Sequence, residues 1–184
     1  MWELYAMWGW FLAFSAAAVA AGDGAAVARA SGLTFAVVAA GVPGCILGGV
    51  LSDRIGRTAT TALMLAASGG CALTIGLVYA GPFWAFVLVA LVWGFSIVGD
   101  SAQFSAAVTE LADQRFVGTA LALQLGLGFG LTVAAIWLVP VFAGWIGGWR
   151  WAFLVLVPGP MVGIAAMLAL RRRPEALALA GGRR

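Results

Sequence analysis

Histidine and lysine are absent from this 184-residue chain, cysteine and tyrosine occur twice each, and charged residues make up only 9% of it. Each shortage excludes a class of function. Without histidine there is no imidazole to ligate zinc or act as a general base. Cys45 and Cys71 both lie inside long apolar runs, where cysteine is a small packing residue and not half of a disulfide or metal pair. The sequence contains no phosphate-binding loop and no Ser-Lys or Cys-His pairing, and isolated Ser and Thr within helices bond to their own backbone. The chain is therefore expected to be no enzyme and to carry no metal and no cofactor. The scarcity of charge says most: at 64% hydrophobic residues, a soluble domain of this size would expose more apolar surface than water tolerates.

Long hydrophobic runs are what the chain has in excess. A helix needs about 20 apolar residues to cross a hydrocarbon layer of roughly 30 Å. Six such runs occur, at 2–21, 33–51, 58–80, 83–107, 117–142 and 151–170, separated by charged or Gly/Pro punctuation. They predict an all-α polytopic membrane protein of six transmembrane helices, with short connections that set neighbours antiparallel in one bundle. Residues 1–173 are expected to form the membrane domain and 174–184 a short cytoplasmic tail, mobile as chain ends usually are. The first run ends in small residues, as a secretory signal does. It lacks a preceding basic region and is long enough to span, so it reads as a retained helix.

Within the runs, Gly44 and Gly48 stand four apart beside Gly41 and Gly49, a spacing that lets two helix backbones approach closely in lipid. The fifth run carries Gly118, Gly126, Gly128 and Gly130 and meets Pro140 near its end, which suits close packing or bending. Trp84, Trp145, Trp149 and Trp151 fall near run ends, where indoles anchor helices at head-group level.

All ten basic residues are arginine. In the six-helix reading, Arg54, Arg57, Arg115, Arg171, Arg172, Arg173, Arg183 and Arg184 fall on one side of the bilayer, and Arg29 and Arg150 on the other. This bias makes the richer side, with both termini, cytoplasmic. It also accounts for the net charge of +3 without a nucleic-acid partner. The terminal arginines read as a stop-transfer anchor or as a contact to anionic lipid head groups.

One short segment, 49–57, concentrates charge between two apolar runs: Gly49, then Asp53-Arg54-Ile55-Gly56-Arg57. Arg54 and Arg57 have acids to pair with in the other long turn on that side, Glu110 and Asp113. Asp53 suits the amino end of a neighbouring helix, whose dipole favours a negative charge. Contacts of this kind hold only while two elements stay close, so they are the ingredients of a latch made in one conformation and broken in another.

The segment resembles the signature loop of the major facilitator superfamily of transporters, carried here by Gly49, Asp53, Arg54, Gly56 and Arg57. Thr58 stands where a further basic residue is frequent in that family. Trp2-Glu3-Leu4-Tyr5-Ala6-Met7-Trp8 is similar to the seventh helix of bacterial members, Asp100-Ser101-Ala102-Gln103-Phe104-Ser105 to the tenth, and 110–118 to the turn before the eleventh. The resemblance covers nearly the whole chain and implies the carboxyl-terminal six-helix half of such a transporter. It also implies residence in a bacterial cytoplasmic (inner) membrane and a cytoplasmic gate that includes Glu110 and Arg115. In that family the seventh helix starts well before the matching stretch, so Met1 is expected to be an internal start or a truncation.

Ionisable residues inside spans call for a functional reading first. Asp100 lies about 17 residues, or roughly 26 Å, along the fourth run. Ser96, Asp100 and Gln103 recur at spacings of four and three, giving that helix one polar stripe. Gln124, Gly128 and Thr132 make another on the fifth. Two such stripes suit a hydrophilic path for a small solute, with Asp100 handling substrate or a proton, or else held as a paired structural acid. Glu3, with Tyr5 and Trp8, would face the bundle interior in the full-length relatives and contact substrate or exchange a proton. At the start of this chain it is expected to be solvated. The leading expectation is transport of a small solute by alternating access, with a second copy or a separate amino-terminal half supplying the opposite wall. The other is a non-transporting remnant or a membrane scaffold that uses the same wall to bind another protein.

Overall fold

The computed structural model describes residues 1–19 and 24–182. The last two residues of the first expected span, and Arg183 and Arg184 of the basic bias, lie outside them. Among the described residues the regular structure is helical throughout, with no strand. The helices are α1 (Trp2–Val19), α2 (Gly24–Ala39), α3 (Gly41–Ile55), α4 (Arg57–Val78), α5 (Phe83–Gly99), α6 (Ser101–Leu111), α7 (Val117–Trp145) and α8 (Pro158–Arg171). Short 3₁₀ segments occupy Ala152–Leu156 and Pro174–Gly182.

Among the described residues, five helical stretches are long and apolar enough to cross a membrane: Ala26–Ile55, Arg57–Val78, Phe83–Leu111, Val117–Trp145 and Ala152–Arg171. They cover the second to sixth expected spans. The first expected span forms α1 but is not among the five, because Glu3, Tyr5 and the three indoles at Trp2, Trp8 and Trp10 dilute its apolar content.

Two of the five are pairs of helices in series. Pro43 cannot donate to the carbonyl of Ala39, so the ladder lapses at Ala40; that residue keeps helical dihedrals, and the rod continues into α3. Asp100 likewise joins α5 to α6 with helical dihedrals, and the next turn tightens to a bond from Gln103 N to Asp100 O of 3.0 Å. Between α3 and α4 the break is complete. Gly56 adopts φ of 91°, which only glycine takes without strain, and the chain reverses within one residue.

In lipid, helices associate by packing and hydrogen bonding, because the solvent is as apolar as the side chains. The packing follows the small residues. α3 lies so close to α5 that a Cβ on Gly44 would collide with the carbonyl oxygen of Phe95, and α2 lies as close to α5, since a Cβ on Gly94 would collide with the carbonyl oxygen of Val37. α4 is held between α5 and α8, while α1 joins α2 on one side and α7 on the other. Toward one end, Phe11, Phe14, Phe86, Trp93 and Phe153 form a buried aromatic core, with Phe14 and Phe153 centroids 4.7 Å apart.

α7 behaves differently. Its buried residues reduce to the stripe Thr132, Ala135, Val139 and Ala143, and a Cβ at Gly118, Gly126 or Gly130 would meet nothing. Close packing thus does not explain those glycines. Pro140 leaves the carbonyl of Ile136 without its helical donor, and the indole of Trp10 supplies the missing bond at 2.8 Å. The tail also departs from expectation: Ala176 and Leu179 are fully buried against Ala107 and Leu170, so residues 174–182 are docked on the bundle.

Candidate functional site

Two polar clusters stand out, one at an end of the bundle and one in its middle. At the end, the reversal at Gly56 places Arg57 as the first residue of α4, facing the last turn of α6. Its Nε and Nη2 donate to the two carboxylate oxygens of Glu110, at 2.8 and 2.6 Å. This fork-to-fork geometry is the strongest form of the pair. Nη1 donates to Gln103 Oε1 at 3.0 Å and to Ser52 Oγ at 3.3 Å. Glu110 Oε2 also accepts the backbone N–H of Ala180 at 3.0 Å, so the tail closes over the pair. Arg171 reaches Thr58 at 3.5 Å, which brings the carboxyl end of α8 to the same place. Arg29 and Arg150 lie at the opposite end, where Arg150 donates to the carbonyl of Gly76 in the last turn of α4, an orphan acceptor facing the negative end of the helix dipole.

The sequence-expected members of this latch separate. Arg57 and Glu110 form it, and Gly49 and Gly56 flank it. Asp53 and Arg54 are exposed on the final turn of α3, where the Asp53 charge acts on the Arg57 guanidinium. Arg115 is not part of it: its guanidinium turns to Asp113 in its own loop, with contacts of 2.8 and 3.2 Å. That neighbour holds the Asp113 carboxyl below its ordinary range and the Arg115 guanidinium above its own. Gln103, expected on the solute path, belongs to the latch instead, through Arg57.

In the middle lies Glu3. It is 95% buried and not solvated as its position in the chain suggested; its carboxylate accepts the indole N–H of Trp93 at 2.6 Å and the hydroxyl of Ser68 at 3.0 Å. Ser68 is the twelfth residue of α4, about 16 Å by helical rise from the Arg57 end, so the acid sits at mid-depth. Asp100, 7% exposed, accepts the Ser101 hydroxyl at 3.1 Å. Glu3 and Asp100 line one cavity of about 110 Å³, together with Trp2, Leu65, Ile97, Phe104 and Pro160.

A second cavity of about 380 Å³ opens toward α7, lined by Ser105, Gln124, Leu127 and Leu131. Met1, Trp2 and Phe104 are common to both, so the two are adjoining chambers. Gln124 Oε1 and Trp2 Nε1 are buried without a hydrogen-bond partner.

Other expected residues lie elsewhere. Ser96 is buried with its hydroxyl turned to the carbonyls of Val92 and Trp93, away from either chamber. Tyr5 and Trp8 stack edge to face at 5.9 Å and pack toward α7 at Phe129. Sequence reasoning missed Ser68 and Trp93. Trp93 did carry a signal, since an indole in the middle of a span has a donor that lipid cannot satisfy. Among the described residues there is no cluster of His, Cys, Asp and Glu that would hold a metal ion.

No family model, no curated protein and no solved structure matches the chain.

Proposed function

We propose that this chain is one half of a solute transporter of the major facilitator type, with α1 as a sixth span and the Arg57–Glu110 end facing the cytoplasm. The observation that carries the reading is the buried acid at mid-depth. Burying a carboxylate among apolar helices is costly, and such residues in membrane proteins serve solute or proton pathways. Glu3 is held in one orientation by two neutral donors, and it shares its cavity with Asp100. The pair is therefore suited to exchanging a proton with, or for, a solute.

The Arg57–Glu110 pair supports the same reading, because it ties the α3–α4 reversal to the end of α6 by bonds that a rocking motion can break. The exposed apolar wall of α7 fits a half that closes against a partner, either a second copy or a separate amino-terminal half. That wall also fits the second reading, a non-transporting scaffold that binds another membrane protein.

The test is uptake into liposomes holding the purified chain, alone or with a candidate partner half. Solute uptake that is lost in Glu3→Gln and retained in Arg115→Ala supports transport. Absence of uptake in every combination, with a stable complex recovered by crosslinking, supports the scaffold.

A further inference from the structure

We infer that the adjoining chambers between α1, α6 and α7 bind an organic cation, with its charged head at Asp100 and Glu3 and its apolar body along Phe104, Leu127 and Leu131. The inference rests on reading these chambers as the solute path and names the class of solute they accept.

Three observations converge on it. The first is shape and lining: the wider chamber, of about 380 Å³, is walled mainly by apolar side chains with a few polar atoms, the composition of a small-molecule site. The second is the sign of the charge. The ionisable side chains lining the narrower chamber are both carboxyls, and no arginine lines either chamber among the described residues. The ion pairs Arg57–Glu110 and Arg115–Asp113 lie elsewhere. A ligand cation would compensate either carboxylate when it is ionised, and an anion would add like charge beside it.

The third observation is the pair of buried, unpartnered atoms, Trp2 Nε1 and Gln124 Oε1, on residues that line the wider chamber. One is a donor and the other an acceptor. Leaving both unmet in a dry wall is unfavourable, so the body of the preferred solute should carry a hydroxyl, amide or ether that meets one or both.

The test uses a charge series of one shape: tetraphenylphosphonium and its anionic counterpart tetraphenylborate, measured by equilibrium dialysis against the purified full chain in detergent. The expected result is saturable binding of the phosphonium and none of the borate, with phosphonium binding at least about tenfold weaker in Asp100→Asn, equivalent to about 1.4 kcal/mol. Leu127→Trp provides an independent check. Leu127 is 64% exposed, so the larger ring threatens the fold little, yet it fills the wider chamber and is expected to abolish phosphonium binding. Saturable borate binding of equal strength, no saturable phosphonium binding, or unchanged binding in both variants would overturn the inference. Phosphonium binding in a chain that shows no liposome uptake with any partner would leave the site standing and remove the transport reading.

Discussion

Glu110 and Glu3 are both carboxylates that bind a planar nitrogen donor at 2.6 Å, and they are stabilised in opposite ways. Glu110 meets a full opposite charge at a half-open end, where the Arg57 and Glu110 side chains keep 18% and 27% of their exposure. Solvent there lowers the cost of bringing the ions together and also weakens their attraction. Glu3 sits at mid-depth, 5% exposed, with an indole and a hydroxyl as its donors. A pair of opposite charges suits a contact that must form and break. Neutral donors suit an acid that must stay in place while its proton or its ligand changes.

The most severe way to break this comparison is Trp93→Ala. It removes the donor to Glu3 and also the largest fully buried side chain, which packs on Phe153 at 5.0 Å. The expected loss is about 3–5 kcal/mol for a buried aromatic truncated to alanine. Detergent-titrated unfolding of the purified protein measures it, and a loss under about 1 kcal/mol would mean that Trp93 does not support the buried acid in the folded protein.

Arg57→Ala comes next. It leaves Glu110 with the Ala180 N–H alone, at an expected cost of about 1–3 kcal/mol, below that of a fully buried pair because the site is partly open. Arg57→Lys sharpens the point: a single ammonium cannot make the two parallel bonds to Glu110 and still reach Gln103, so it should recover less than half of the loss. Full recovery by lysine would mean that charge alone, and not fork geometry, holds the end together.

Ending the chain after Arg173 tests the tail. Leu179 loses its buried place and Glu110 loses the Ala180 N–H, with an expected cost of about 2 kcal/mol. The Arg57–Glu110 pair should survive but loosen, visible as faster labelling of a cysteine placed at Ser52. Equal labelling rates in the truncated and full chains would show that the tail does not bear on the latch.

How much of this was legible in the sequence differs between the two regions, and for a physical reason. Five of the six expected spans were readable because apolar runs need no partner to declare themselves, and the reversal at Gly56 because glycine beside two arginines and an acid is locally diagnostic. The Arg57–Glu110 pair followed from charge in two turns on one side. Glu3 was not readable as buried, since a residue near a chain end carries no mark of lying in the middle of a bundle; that emerges only when α1, packed between α2 and α7, brings Glu3 to Trp93 and Ser68. Gln103 bonds a different neighbour from the one its stripe suggested, for a related reason. A stripe at spacings of four and three shows which face is polar, yet the helix tightens at Asp100, and the residue one turn on reaches Arg57 and not the chamber. The docking of Leu179 has no local signature at all.

The smallest expected effect is at Arg115, and it completes the comparison by giving a carboxylate in full solvent. Asp113 and Arg115 form a close pair at 2.8 Å, yet their side chains keep 49% and 80% of their exposure. The arginine holds the Asp113 carboxyl below its ordinary value, so the pair contributes stability above the unfolded pKa of Asp113 and loses it as pH falls through the lowered folded value. Water and salt screen a contact this open almost completely. Arg115→Ala should therefore leave the melting temperature unchanged at neutral pH and at pH 4 alike, and it should not alter labelling at Ser52. A destabilisation that appears at neutral pH and vanishes in acid would show that the exposed Arg115–Asp113 pair does stabilise the fold, and faster labelling at Ser52 would show that Arg115 also bears on the Arg57–Glu110 end.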